Sequence, residues 1–131
     1  GAPGRTRLAQ AAGGAARENL AVAERHRIVL VPVREIVYLR AGQKYVTVRT
    51  REREHLVEES LVSLEREFAA RFVRVHRNCL VARDAIRGFE RLPAAEGEDA
   101  HWQAVLAGVA EKLPVSRRQW SVVRGLVTEQ P

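Results

Sequence analysis

A β-rich domain of roughly eight to ten short strands, with one internal and one terminal helix, is what this 131-residue sequence predicts. Three observations carry that expectation. Short apolar or alternating runs recur from residue 20 onward, separated by polar or glycine-bearing turns. Only one internal stretch, "ESLVSLEREFAARF", spaces its apolar residues as a helix does. The closing stretch "PVSRRQWSVVRGLV" opens with the Ser-x-x-Gln pattern of a helix start.

Residues 1–19 are rich in Gly and Ala, show no apolar period, and read as a flexible interdomain linker. The domain is expected over 20–131. "LAVAE" and "RIVLV" flank the polar pair Arg25-His26 and suggest a hairpin. Ile36–Arg40 and Tyr45–Thr50 suggest two more strands around Ala41-Gly42-Gln43, with Gly42 supplying the backbone freedom of the turn. A short strand is expected at Glu54–Val57. Leu61, Leu64 and Phe68 form the stripe of a helix over 61–69, with Ser60 as its N-cap. The segment "FVRVHRNCLVARDAI" starts as an alternating strand, and His76-Arg77-Asn78 interrupt it. Strands are expected at Ala85–Leu92 and on both sides of the Ala107-Gly108 turn. No repeat is evident along the chain.

The terminal helix is well punctuated. Ser116 is the expected N-cap, Gln119 its capping-box partner, and Val115 with Trp120 a hydrophobic staple. Trp120, Val123 and Val127 share one face. Arg117 and Arg118 then occupy the first two helical positions, where the helix dipole disfavours cations. Backbone N–H groups there attract anions. The pair either meets a phosphate or base edge, or consists of solvated arginines tolerated at small cost.

The chain carries 22 Lys and Arg against 16 Asp and Glu, a formal net charge of +6, and nearly all the cations are Arg. The guanidinium fork suits phosphate oxygens and guanine edges. A GC-rich genome also favours Arg, so the charge permits an anionic partner without identifying one. Cys79 is the single cysteine, which fits a reducing compartment, and no apolar run approaches a membrane span. A cytoplasmic location with no membrane partner is expected.

Enzymatic signatures do not accumulate. His76-x-x-Cys79 lacks companions at metal-ligand spacing, so no metal or other cofactor is expected. Ser116 is explained by capping, and neither G-x-S-x-G nor a glycine-rich phosphate loop is present. The runs "REREHLVEES" and "EGED" read as solvated faces. Trp102 and Trp120 read as core residues, and exposed aromatics for RNA stacking are scarce. No enzymatic activity is expected.

Three segments, "EIVYLRAGQKYVTVRT", "RFVRVHRNCLVARDAIRGFER" and "LPVSRRQW", together resemble the LytTR DNA-binding domain. This is the C-terminal output domain of many bacterial response regulators, of the AlgR and AgrA type. The resemblance spans about residues 20–125. It implies an elongated stack of small, mostly antiparallel β-sheets with little helix. It also implies transcription regulation within a two-component system, through loops that enter two successive major grooves of DNA. The contact positions it implies are Gln43, Lys44 and Tyr45 in the first turn, with Gly42 beside them. His76, Arg77 and Asn78 form the second, and Arg117 and Arg118 the third.

Within that frame, Arg77 and Arg118 suit base edges, while Lys44, Arg74 and Arg117 suit phosphate. Asn78 could read adenine or brace its turn, and His76 could meet phosphate or pack inside it. Glu96, Glu98 and Asp99 repel DNA, so their loop is expected on the distant side. A single module offers a small interface, so two copies on repeated half-sites of double-stranded DNA are expected. The isolated domain is expected to be monomeric, paired on DNA or by a receiver domain in a longer parent. The rival classes are a protein-interaction domain and an RNA-binding domain.

Overall fold

A computed structural model describes residues 15–98 and 100–128, the side chains of Val127 and Thr128 excepted. Among the described residues, ten strands form three antiparallel sheets, accompanied by two α-helices. β1 (Asn19–Glu24) and β2 (Arg27–Pro32) make a hairpin in register from Asn19↔Pro32 to Glu24↔Arg27. Its turn holds Arg25 in the left-handed region at φ 50. β3 (Ile36–Ala41), β4 (Val46–Thr50), β5 (Glu54–Val57), β6 (Phe72–His76) and β7 (Cys79–Ala82) form a sheet in the order β5-β4-β3-β7-β6. β8 (Ile86–Leu92), β9 (His101–Leu106) and β10 (Leu113–Val115) form the third, in the order β10-β9-β8. The expected fold class, small antiparallel sheets with a short internal and a short terminal helix, is the one observed.

The five-stranded sheet is the middle layer, and each of its faces carries a core. On one face, Leu39, Val48 and Leu80 pack with Leu20, Val22 and Val31 of the hairpin. Helix α1 (Leu61–Glu67) adds Leu61 and Leu64, and its C-cap Phe68 joins them. On the other face, Val73, Val75 and Val81 pack with Ala104, Leu106 and Leu113 of the three-stranded sheet. Covering on both faces explains why Ile36–Leu39 and Cys79–Ala82 are buried without alternation. A bulge between Ile36 and Tyr38 turns both Val37 and Tyr38 toward the second core.

Ser60 caps α1, its Oγ accepting the Ser63 N–H at 3.1 Å. The helix ends at Glu67, two residues short of the expected limit. Helix α2 (Arg117–Thr128) docks through Trp120 and the fully buried Val123. Trp120 stacks on Trp102 at 4.4 Å and meets Phe89 edge-on at 5.0 Å. The side chain of Val127, expected on the same face, lies outside the described residues.

Three expectations need correction. First, the chain does contain a structural repeat. Leu30–Ile36 and Leu80–Ile86 each run from strand through one 3₁₀ turn into a bulged strand. Pro32 and Ala82 enter those turns at φ −61, ψ 128 and φ −63, ψ 128. Identity is confined to the Leu-Val pair and the closing Ile, because the backbone path tolerates many side chains, which is why the repeat escapes inspection of the letters. Second, Gly42 does not take a left-handed φ; only Gly97 and Gly108 do among the described glycines. Its value is proximity, since a Cβ there would stand 3.2 Å from the Tyr45 carbonyl oxygen. Third, the folded unit reaches back before residue 20. Asn19 opens β1, the Glu18 carbonyl accepts the Val33 N–H, and Arg17 bridges Glu59 at 2.6 Å and Glu67 at 2.7 Å. Residues 1–14 of the expected linker lie outside the described residues.

Candidate nucleic-acid interface

Backbone hydrogen bonds bring the three sequence-marked segments to one end of the molecule. The β3–β4 turn closes with the Gly42 N–H donating to the Tyr45 carbonyl at 2.8 Å. Because β3 pairs with β7, the Ala41 N–H reaches the Asn78 carbonyl, also at 2.8 Å. That bond sets the first turn beside the β6–β7 turn. On the other side of β6, the Ser116 N–H donates to the Val75 carbonyl at 2.9 Å. Val75 is the extra residue in the register shift between Arg74 and His76. The start of α2 therefore stands next to the end of β6.

Each turn presents cations or polar groups outward. Gln43 and Lys44 are exposed, Tyr45 is half-buried, and Lys44 Nζ lies 5.5 Å above the Tyr45 ring. Arg77 and Asn78 are exposed, as are Arg117 and Arg118. Arg74, His76, Arg77, Ser116, Arg118 and Gln119 line a shared concavity of about 340 Å³. Among the described residues, no cluster of His, Cys, Asp and Glu is arranged to hold a metal ion.

His76 is half-buried, and its Nδ1 accepts the Asn78 N–H at 3.3 Å. With Nδ1 as acceptor, the neutral ring carries its proton on Nε2, where it can donate to a ligand. The ring braces the turn and keeps a donor in reserve.

Arg74 is already engaged. Its Nη2 and Nε donate to the two carboxylate oxygens of Glu65 at 2.7 and 3.1 Å, and Nη1 donates to the Arg77 carbonyl. Only 18% of its side chain is exposed. The paired guanidinium holds the Glu65 carboxyl below its ordinary pKa. Behind the turn, Cys79 is 4% exposed, and burial pushes its thiol pKa up. It packs rather than reacts.

Ser116 caps α2 as expected, its Oγ accepting the Gln119 N–H at 3.2 Å. The capping box is only half formed. Since the Ser116 N–H is occupied by Val75, the Gln119 side chain turns away and donates through Nε2 to the Arg74 carbonyl at 3.0 Å. Gln119 and Glu65 are the site residues that sequence reasoning missed. Gln119 had a complete local explanation in the capping box. Glu65 looked like one of several solvated acids on α1, and no local signal marks it.

The acidic loop between β8 and β9 is rooted by the register of the three-stranded sheet. Val115 pairs with Trp102 and Leu92 with His101, so the loop leaves the sheet at the end where α2 begins. Glu96 and Glu98 are exposed in that loop. The strand register decides this placement, whatever the charge of the loop. Asp99 lies outside the described residues.

The sequence matches the family model described as LytTr DNA-binding domain over residues 26–128. It is 40% identical over 132 residues to a Positive alginate biosynthesis regulatory protein of Pseudomonas aeruginosa. That match covers 95% of this chain and 51% of the relative, so the chain spans about half the length of the curated relative it matches. The fold superposes with a TM-score of 0.70 on the LytTr DNA-binding domain of a putative methyl-accepting/DNA response regulator from Bacillus cereus. That match is 22% identical and covers 86% of this chain and 98% of the other.

Proposed function

Because the chain belongs to the LytTR family of DNA-binding domains, we propose that it binds duplex DNA sequence-specifically through its three clustered turns. It would serve as the output domain of a bacterial two-component regulator. The observation that carries the reading is the convergence of Lys44, Arg77, Arg117 and Arg118 on one end, held by the Ala41–Asn78 and Ser116–Val75 bonds. No recognition helix is needed. The turns enter successive major grooves, as the family resemblance implies, and the strands behind them supply rigidity.

Arg77 and Arg118 read base edges in this arrangement. A bidentate Arg–guanine pair contributes about 1–3 kcal/mol of discrimination. Lys44 and Arg117 hold phosphates, which sets register without reading sequence. Gln43, Tyr45 and Asn78 complete the contact surface, and His76 offers Nε2. One module covers roughly 600–1,000 Å² of protein surface, a small interface, so repeated half-sites recruit two copies. The domain works without enzymatic activity and in the cytoplasm, where the chromosome lies.

Selection of random duplex DNA on the immobilised domain tests the reading. A recovered motif repeated at fixed spacing is the expected result. Better competition by single-stranded RNA than by duplex DNA would favour the RNA-binding class, and recovery of no motif would leave a protein-interaction role.

A further inference from the structure

We propose that Arg74 is a positioning residue: braced by Glu65 and Gln119, it fixes both the shape of the Arg77 turn and its distance from the Arg118 corner. The proposal rests on the DNA-binding reading above and goes beyond it, since it separates residues that touch DNA from those that hold the contacts in place.

The first part of the argument is the peptide unit joining Arg77 and Asn78. Its carbonyl accepts from Arg74 Nη1, and its N–H donates to His76 Nδ1 at 3.3 Å. The next carbonyl, that of Asn78, accepts from Ala41 at 2.8 Å. Two successive peptide units of an exposed turn are thus held, while the Arg77 and Asn78 side chains stay exposed. A turn ordered before binding loses less conformational entropy when it meets its ligand.

The second part is the reach of Arg74. Its guanidinium spans α1, through Glu65, and the β6–β7 turn. Its backbone carbonyl takes the Gln119 amide of α2 at 3.0 Å. One residue therefore touches the supports of two contact corners. A lysine ammonium could keep the charge but not the planar fork that bridges a carboxylate and a carbonyl.

Binding titrations across salt decide the matter. They use the motif recovered from a random duplex pool by the wild-type domain, and the same duplex with one base pair inserted, within one half-site, between the bases assigned to Arg77 and those assigned to Arg118. Glu65→Gln is expected to weaken specific binding by about tenfold, the scale of one charged hydrogen bond, with the salt slope unchanged. If Arg74 were instead a phosphate contact restrained by Glu65, the same variant would bind more tightly and steepen the salt dependence. That result would overturn the proposal. Gln119→Ala is expected to lose most of the wild-type discrimination against the inserted base pair. Full retention of that discrimination would overturn the coupling.

Near-UV circular dichroism and urea midpoints verify folding. Arg74→Lys serves if either variant unfolds, with the same loss expected as for Glu65→Gln and wild-type affinity as the contrary result. Failure of the wild-type domain to recover any motif would strike the DNA-binding reading itself, and with it this proposal.

Discussion

The backbone N–H of Ala41 donates to the carbonyl of Asn78 at 2.8 Å, across an interval of sequence that contains β4, β5, α1 and β6. This bond makes one surface of two turns. Lys44 sits on one side of it and Arg77 on the other, so the exposed cations of the two turns share one backbone frame.

Substitutions at the proposed contacts should separate reading from holding. Arg77→Ala and Arg118→Ala are each expected to weaken specific binding more than non-specific binding, by about 1–3 kcal/mol at the base they read. Lys44→Ala should weaken both alike and lower the salt slope by about one. Fluorescence titrations at several salt concentrations, on motif and scrambled duplexes, measure all three. Unchanged specific affinity in Arg77→Ala would remove that residue from the reading role.

The acidic loop gives an opposite sign. Glu96 and Glu98 are exposed in the loop that leaves the three-stranded sheet at the end where α2 begins. Neutralising both, as Glu96→Gln with Glu98→Gln, should therefore raise affinity for duplex of any sequence. The gain should shrink as salt rises and screening shortens the reach of charge. Equal affinity at low salt would show that the loop stays clear of the DNA path.

Acid stability should depend on Glu111. Its carboxylate accepts from Tyr38 Oη and from Arg49 Nε, each at 2.8 Å, and joins the loop before β10 to β3 and β4. These donors, Arg49 first, pull its pKa down to about 2. The Tyr38 phenol, buried and beside that carboxylate, is pushed up to about 12. A lowered carboxylate pKa stabilises the fold above the ordinary value, and the contribution is lost as pH falls from about 4.5 through 2. In Glu111→Gln, urea midpoints should vary less over that range than in wild type. The pair is partly exposed, so salt should shrink the difference.

The start of the fold can be tested by truncation. Arg17 is clamped by Glu59 and Glu67, whose carboxylates are themselves mostly covered. A chain beginning at residue 20 leaves both acids without that partner. It should be less stable than one beginning at residue 15 by about 1–3 kcal/mol, the scale of losing charged hydrogen bonds. Equal denaturation midpoints would place the boundary at residue 20 after all.

Much of the fold is legible because local signals and tertiary needs agree. Ser60 caps α1 and Ser116 caps α2 as their spacing suggests, and the hairpin turns at Arg25-His26. The strand at Glu54–Val57 appears where its pattern puts it. The repeat around Pro32 and Ala82 is harder to read, since a shared backbone path needs little shared chemistry. At the candidate site, the types of residue and their three clusters were visible. Which of them were already occupied was not, because Arg74 and Glu65 meet only when β6 lies beside α1.

By itself the sequence determined the strand and helix pattern and the polar interruption at His76-Arg77-Asn78. Periodicity, capping and turn chemistry act over a few residues, so they can be read from a few letters. The tertiary structure alone decided the rest. It joined the turns through Ala41 and Asn78, and committed Arg74 to Glu65 instead of to solvent. It also drew Gln119 out of its capping box, and rooted the acidic loop at the sheet end where α2 begins. Each of these follows from strand register and sheet order, which depend on the packing of residues far apart in the chain.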